Sequence, residues 1–212
     1  MALADAYATA AQYRAASGNT DLAAEADIRR DLRAVSRMLD LRLRRHFNKD
    51  AAVTERTYYA PDTGFSASDI AQRTLFVEDI ASTSGLIVKV DTDGDGLVSD
   101  ENALASTDYQ LFPLNAATGP EPRPYTSIVL TPWRANGWSP GALVSVTAIH
   151  GWPSAPPHAL VVANIELTRI LRLESPRAKG IMNMGLETIE QLSPEARRIL
   201  GELTREYSRI EL

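Results

Sequence analysis

The chain has 212 residues, 44% of them apolar and 23% charged, with no cysteine and a formal net charge of −5. Such a length can bury a real core, as one domain or one domain with appendages, and the lack of cysteine excludes disulfides, thiolate nucleophiles and cysteine-ligated zinc. The opening MALADAYATAAQYRAASG has no basic start followed by an apolar core, and no stretch reaches ~18 uninterrupted apolar residues, so the expectation is a soluble cytosolic protein with neither signal peptide nor membrane span.

Charge is unevenly spread. Residues 1–50 carry nine Lys/Arg against seven Asp/Glu, residues 51–150 five against twelve, and residues 151–212 eight of each. An acidic middle repels phosphate, which argues against tight or sequence-reading nucleic-acid binding but permits a surface past which DNA slides.

Residues 2–16 are alanine-rich and predict a helix, stopped by Gly18-Asn19. Thr20 or Asp21 is placed to cap a longer helix reaching about Phe47, with Ile28, Leu32, Val35, Leu39 and Leu43 on one stripe. Arg30, Arg33, Arg37 and Arg44 fall on another face. That stripe suits docking an acidic partner or a phosphate backbone, or else a solvated face paired with Asp27, Asp31 and Asp40.

From Val53 the period changes to two. Six strands are predicted, at Val53–Tyr59, Arg73–Val77, Leu86–Val90, Tyr109–Leu114, Ser127–Thr131 and Leu143–Ile149, each bounded by Gly, Pro, Asp or Asn. The last runs into Gly151-Trp152-Pro153, and Pro156-Pro157 precedes a helix from His158. Leu160, Ala163, Leu167, Ile170 and Leu171 share one face of that helix, and Asn164, Thr168 and Arg172 form a polar stripe. After Ser175-Pro176 the run Arg177–Gly185, holding Met182 and Met184, predicts a linker. Ser193-Pro194-Glu195 starts a final helix whose apolar side includes Ala196, Ile199, Leu203, Tyr207 and Ile210.

The expected fold class is α+β: a helical core made of the long N-terminal helix and helix 158–174, an inserted antiparallel β module and a C-terminal helical tail. The corresponding segments are N-terminal helices at 1–50, an acidic β module at 51–150, the core helix at 151–176, and a linker and tail at 177–212.

One motif has a chemical look. Asp91-Thr-Asp93-Gly-Asp95-Gly96 resembles the start of an EF-hand loop, making Asp91, Asp93 and Asp95 calcium candidates. The bidentate glutamate that the pattern requires is replaced by Asn102, with Glu101 one place short, and the flanks read as strands or loop. A Gly/Asp-rich turn is the competing reading. The histidines His46, His150 and His158 have no metal-binding spacing, and no nucleophile elbow, phosphate loop or dinucleotide fingerprint occurs, so no catalytic residue, metal or cofactor is expected. Trp133 and Trp138 lie in the loop PWRANGWSPG and mark either an interface or the cap of the sheet's own core.

The succession LFVEDI (75–80), GLIVKVDTDGDG (85–96), TDYQLFPLNA (107–116), PYTSIVL (124–130) and VSVTAIHGWPSAP (144–156), followed by a helix ending in Ser175-Pro176, resembles the head-to-tail adaptor (head–tail connector) proteins of long-tailed bacteriophages and related gene-transfer particles. The likeness covers roughly residues 25–178. Its most specific element is the strand entering Gly151-Trp152-Pro153, although His150 stands where an aromatic or aliphatic residue belongs. The alanine-rich start and the long tail match no part of the family pattern.

The resemblance implies a non-enzymatic virion protein of the neck, assembled in the host cytoplasm. It would form a homo-oligomeric, usually dodecameric, ring beneath the portal protein. Such a ring extends the DNA channel, lets double-stranded DNA pass without specific binding, and offers a platform for a stopper or tail-terminator protein. Interface candidates toward portal or ring neighbours are then Arg30, Arg33, Arg37, Trp133, Trp138, Met182, Met184 and Tyr207, with Gly151, Trp152 and Pro153 as a structural corner. The other reading is a calcium-dependent, β-rich binding module.

Overall fold

The structure, a computed structural model, describes residues 6–18, 24–61, 70–118, 121–132, 138–173 and 194–207. Two compact units divide the chain: Lys49–Ala155 forms one, and Met1–Asn48 with Pro156–Leu212 the other.

In the first unit, strands β1 (Thr54–Tyr59), β2 (Thr74–Val90), β3 (Tyr109–Phe112), β4 (Tyr125–Leu130) and β5 (Leu143–His150) make one antiparallel sheet in the order β1-β5-β2-β4-β3. Alternation fixes which face is dry. Val144, Val146 and Ala148 of β5 are buried beside Val88 and Val90 of β2, and Leu75, Val77, Ile128 and Leu130 continue the same cluster. Burying each of these valine, leucine and isoleucine side chains contributes about 1.5–3 kcal/mol.

Two predicted strands, 73–77 and 86–90, are halves of the single 17-residue β2. Its first half pairs with β4 and its second with β5, and Ile80 faces both Tyr125 and His150 where the partners change. Register irregularities between Ile80 and Ile87 absorb the extra residues. Gly85 sits there at φ 74, where a Cβ would come within 3.0 Å of Val53 Cγ1. The glycine that reads as a strand break is a bulge inside a strand.

The second unit contains α1 (Ala10–Ser17), α2 (Glu25–Leu43), α3 (His158–Leu173) and α4 (Pro194–Tyr207). Thr9 starts α1 with a capping box, its hydroxyl accepting from the Gln12 N–H at 3.2 Å while Gln12 Oε1 accepts from the Thr9 N–H at 2.8 Å. The alternative caps Thr20 and Asp21 lie outside the described residues. Helix α2 ends at Leu43, since Arg44 turns left-handed at φ 50 and donates its N–H to the Asp40 carbonyl.

The expectation of a helical core with a β module inserted in it is overturned. The fold is mixed, and its five-stranded sheet encloses twelve buried residues of its own, while the described helices run only 8, 19, 16 and 14 residues. Helical spacing over 20–47 and 158–174 reports faces that need burial, but it is silent on how much core the strands make for themselves.

Within the helical unit the polar stripe of α3 is buried. Asn164 and Thr168 are fully enclosed, and Asn164 bridges three segments: its Oδ1 accepts from the Ala8 N–H at 3.2 Å, and its Nδ2 donates to the Leu32 carbonyl at 3.0 Å and to Ser36 Oγ at 3.1 Å. Arg172 reaches the buried Asp31 carboxylate at 2.8 Å. These pairings make burial of polar groups tolerable.

Candidate functional site

The acidic loop after β2 has a defined internal geometry. Asp91, 5% exposed, accepts from the Gly94 N–H at 2.7 Å with Oδ1 and from the Gly96 N–H at 2.9 Å with Oδ2. Both glycines take positive φ, 78 and 84, which lets the backbone curl over the carboxylate. Asp93 and Asp95 are exposed and accept from the N–H groups of Asp95 (3.2 Å) and Leu97 (2.7 Å). Glu101 closes the loop from its far end, accepting from the Thr92 N–H at 2.6 Å and the Thr92 hydroxyl at 2.7 Å, and these bonds hold its carboxyl below the usual glutamate range.

One carboxylate oxygen from each of Asp91, Asp93 and Asp95 lies within 4.8 Å of the others. Hard oxygen donors at that separation are of the kind calcium takes. The residue one place short of the EF-hand glutamate is committed to the loop's own backbone, and both oxygens of Asp91 already hold N–H groups. The loop is thus closed by hydrogen bonds.

The corner begins where β5 ends. Gly151 adopts φ 101 and donates its N–H to the Asp79 carbonyl at 2.8 Å, Trp152 is 4% exposed, and α3 starts at His158. His150 is wholly buried. Its enclosure, with the Arg56 guanidinium adding to the effect, lowers its pKa from the ordinary 6.5, against a smaller opposing pull from Asp50.

Several arginines of α2 pair with carboxylates of the same helix. Arg29 pairs with Glu25, Arg30 with Asp27 at 3.0 Å and Asp31 at 3.3 Å, and Arg37 with Asp40 at 2.8 Å. Arg33, Arg42 and Arg44 are exposed on the helix and its C-cap. Tyr7 donates its hydroxyl to Asp40, and burial followed by that carboxylate pushes the phenol well above its usual range.

The other sequence candidates separate. Trp138 is 4% exposed in the sheet core and donates Nε1–H to the Arg73 carbonyl at 2.8 Å. Tyr207 is buried edge-on against Phe47 at 5.9 Å between ring centroids, and its carbonyl accepts from Arg45 at 3.4 Å. Trp133, Met182 and Met184 lie outside the described residues. Sequence reasoning passed over Leu41, an apolar side chain 73% exposed one turn beyond Arg37, and Leu97, 55% exposed inside the acidic loop. Each is legible as an apolar residue at a position whose neighbours are charged.

No family model matches the chain, and no curated protein is similar to it. No described helix is long and apolar enough to cross a membrane.

Proposed function

We propose that this chain is a structural head-to-tail adaptor of a phage virion, a protein that acts by shape and transforms no substrate. Copies assemble as a ring, a dodecamer in the family it resembles, beneath the portal. The ring extends the DNA channel and docks the next neck protein, a stopper or tail terminator, and double-stranded DNA passes without specific binding. The observation that carries the reading is the ordered succession of segments ending in the strand, Gly151-Trp152-Pro153 and the helix that follows.

The buried Trp152 supports it, because a large enclosed side chain directly after β5 is a packing device. An acidic 51–150 segment supports it as well, since weak attraction for phosphate keeps DNA transit fast. The test is to mix the purified chain with the portal of a long-tailed phage and view the product by negative-stain microscopy. A ring seated on the portal is expected, and a chain that remains monomeric and unbound would falsify the reading.

A second reading, a calcium-dependent binding module, has the grouping of Asp91, Asp93 and Asp95 in its favour. Isothermal calorimetry with millimolar calcium separates the two. The adaptor reading expects no heat, because N–H groups already occupy the Asp91 oxygens.

A further inference from the structure

The two edges of the sheet are finished differently. At one, β3 is four residues long and runs straight into Pro113, which has no N–H to offer a further strand. At the other, β1 pairs with β5 over six residues without a break in register and holds neither proline nor bulge. Hydrogen bonds on either side of β5 show which groups of β1 are used. Ala60 donates its N–H to the Ala142 carbonyl at 2.9 Å, and on the β2 side Asp91 donates to the Leu143 carbonyl at 2.9 Å. Antiparallel ladders alternate, so even-numbered residues of β5 bond toward β1 and odd-numbered ones toward β2. Thr54, Arg56 and Tyr58, opposite Ala148, Val146 and Val144, therefore turn their backbone groups toward β5. Glu55, Thr57 and Tyr59 are exposed and turn theirs outward, where no described strand takes them.

The order of residues in β1 says what fits that edge. Two copies of the strand laid antiparallel about a two-fold axis at Thr57 pair every residue from 54 to 60: Thr57 with Thr57, Arg56 with Tyr58, Glu55 with Tyr59 and Thr54 with Ala60. Like charges do not meet, each charged side chain lies across from a tyrosine, and Tyr59, 76% exposed in the single chain, gains a neighbour on its own face. The adjacent registers fail. One step toward the N-terminus sets Arg56 against Arg56, and one step the other way sets Glu55 against Pro61, which cannot donate. The strand is complementary to itself in one register.

We propose that β1 of one chain pairs antiparallel with β1 of a second copy, with the two-fold axis at Thr57, so that two five-stranded sheets join edge to edge. Each copy offers the same patch, so the contact is isologous and closes on itself at a dimer. It is separate from the head-to-tail contact that a ring requires, and it does not rest on the adaptor reading.

The chain has no cysteine, so a single introduced thiol reports the register. Thr57→Cys sets the two Cα atoms about 5.5 Å apart across the axis, within disulfide reach. Glu55→Cys leaves its pair roughly 13 Å apart, four residues along the strand and out of reach. Under mild oxidation Thr57→Cys is expected to give a covalent dimer on a non-reducing gel and Glu55→Cys to stay monomeric, while Glu55→Cys mixed with Tyr59→Cys is expected to cross-link. Sedimentation velocity of the unaltered chain is expected to show a dimer. Thr57→Pro removes an outward N–H from each copy and none bonded to β5, and is expected to weaken the dimer at least about tenfold with a cooperative melt retained.

A monomeric unaltered chain, a Glu55→Cys chain that cross-links as readily as Thr57→Cys, or a folded Thr57→Pro chain that still dimerises overturns the proposal. If Thr57→Pro loses its cooperative melt, the cysteine pattern decides. Portal binding separates the contact from the adaptor reading: a dimer that never binds portal leaves the contact and removes the adaptor, and a portal-bound ring built from a chain monomeric in solution leaves the adaptor and removes the contact.

Discussion

At the scale of single residues, enclosure decides what each polar or aromatic group does. Trp152 fills a buried site at the corner, so Trp152→Ala should cost ~3–5 kcal/mol through lost burial and the cavity left behind, read as a fall in the thermal midpoint. An unchanged midpoint would move Trp152 to the surface. His150 is wholly buried, and that enclosure disfavours the charged imidazole. The sign follows from linkage: the folded pKa lies below the unfolded 6.5, so the unfolded chain binds the extra proton. Stability is full above 6.5 and is lost as pH falls from there through the lowered folded value. Denaturant titrations from about pH 7 to about pH 5 should show a slope that His150→Leu flattens.

At the scale of elements, polar side chains fix how helices meet and bulges fix where strands change partner. Asn164 joins the start of α1, the middle of α2 and α3 through three hydrogen bonds. Asn164→Leu leaves the Ala8 N–H buried and unpaired, and roughly 1–3 kcal/mol of stability should go with it, visible as a lower urea midpoint. Thr168→Val in the same helix is the comparison, since among the described residues its hydroxyl bonds only the Asn164 carbonyl one turn back. The helix starting at His158 was visible in the sequence from its 3–4 spacing and the prolines before it. That its polar stripe is inside was not visible, because Asn164, Thr168 and Arg172 read equally as a solvated face until their partners on α2 are in place. The length of β2 was hidden for a similar reason: Gly85 in isolation signals a break, and only β5 alongside makes it a bulge.

At the scale of the whole molecule, the chain builds its cores separately. All five strands and the twelve-residue apolar cluster lie within Lys49–Ala155, so a fragment of that span should unfold cooperatively by circular dichroism. A featureless melt would show that the sheet needs the helices to hold together. Charge also separates at this scale, because the acidic surplus belongs to the sheet unit while α2 is net positive.

The sequence by itself determined where the chain alternates and where it winds, where Asp and Gly curl into a turn, and that the middle is acidic, because period, turn chemistry and charge are local properties. Tertiary structure alone decided that the sheet has its own core, that 73–77 and 86–90 are one strand, that Trp138 and Tyr207 are buried within the chain, and that Leu41 and Leu97 stand exposed. Those outcomes depend on which distant segment arrives opposite each residue, and no local pattern carries that information.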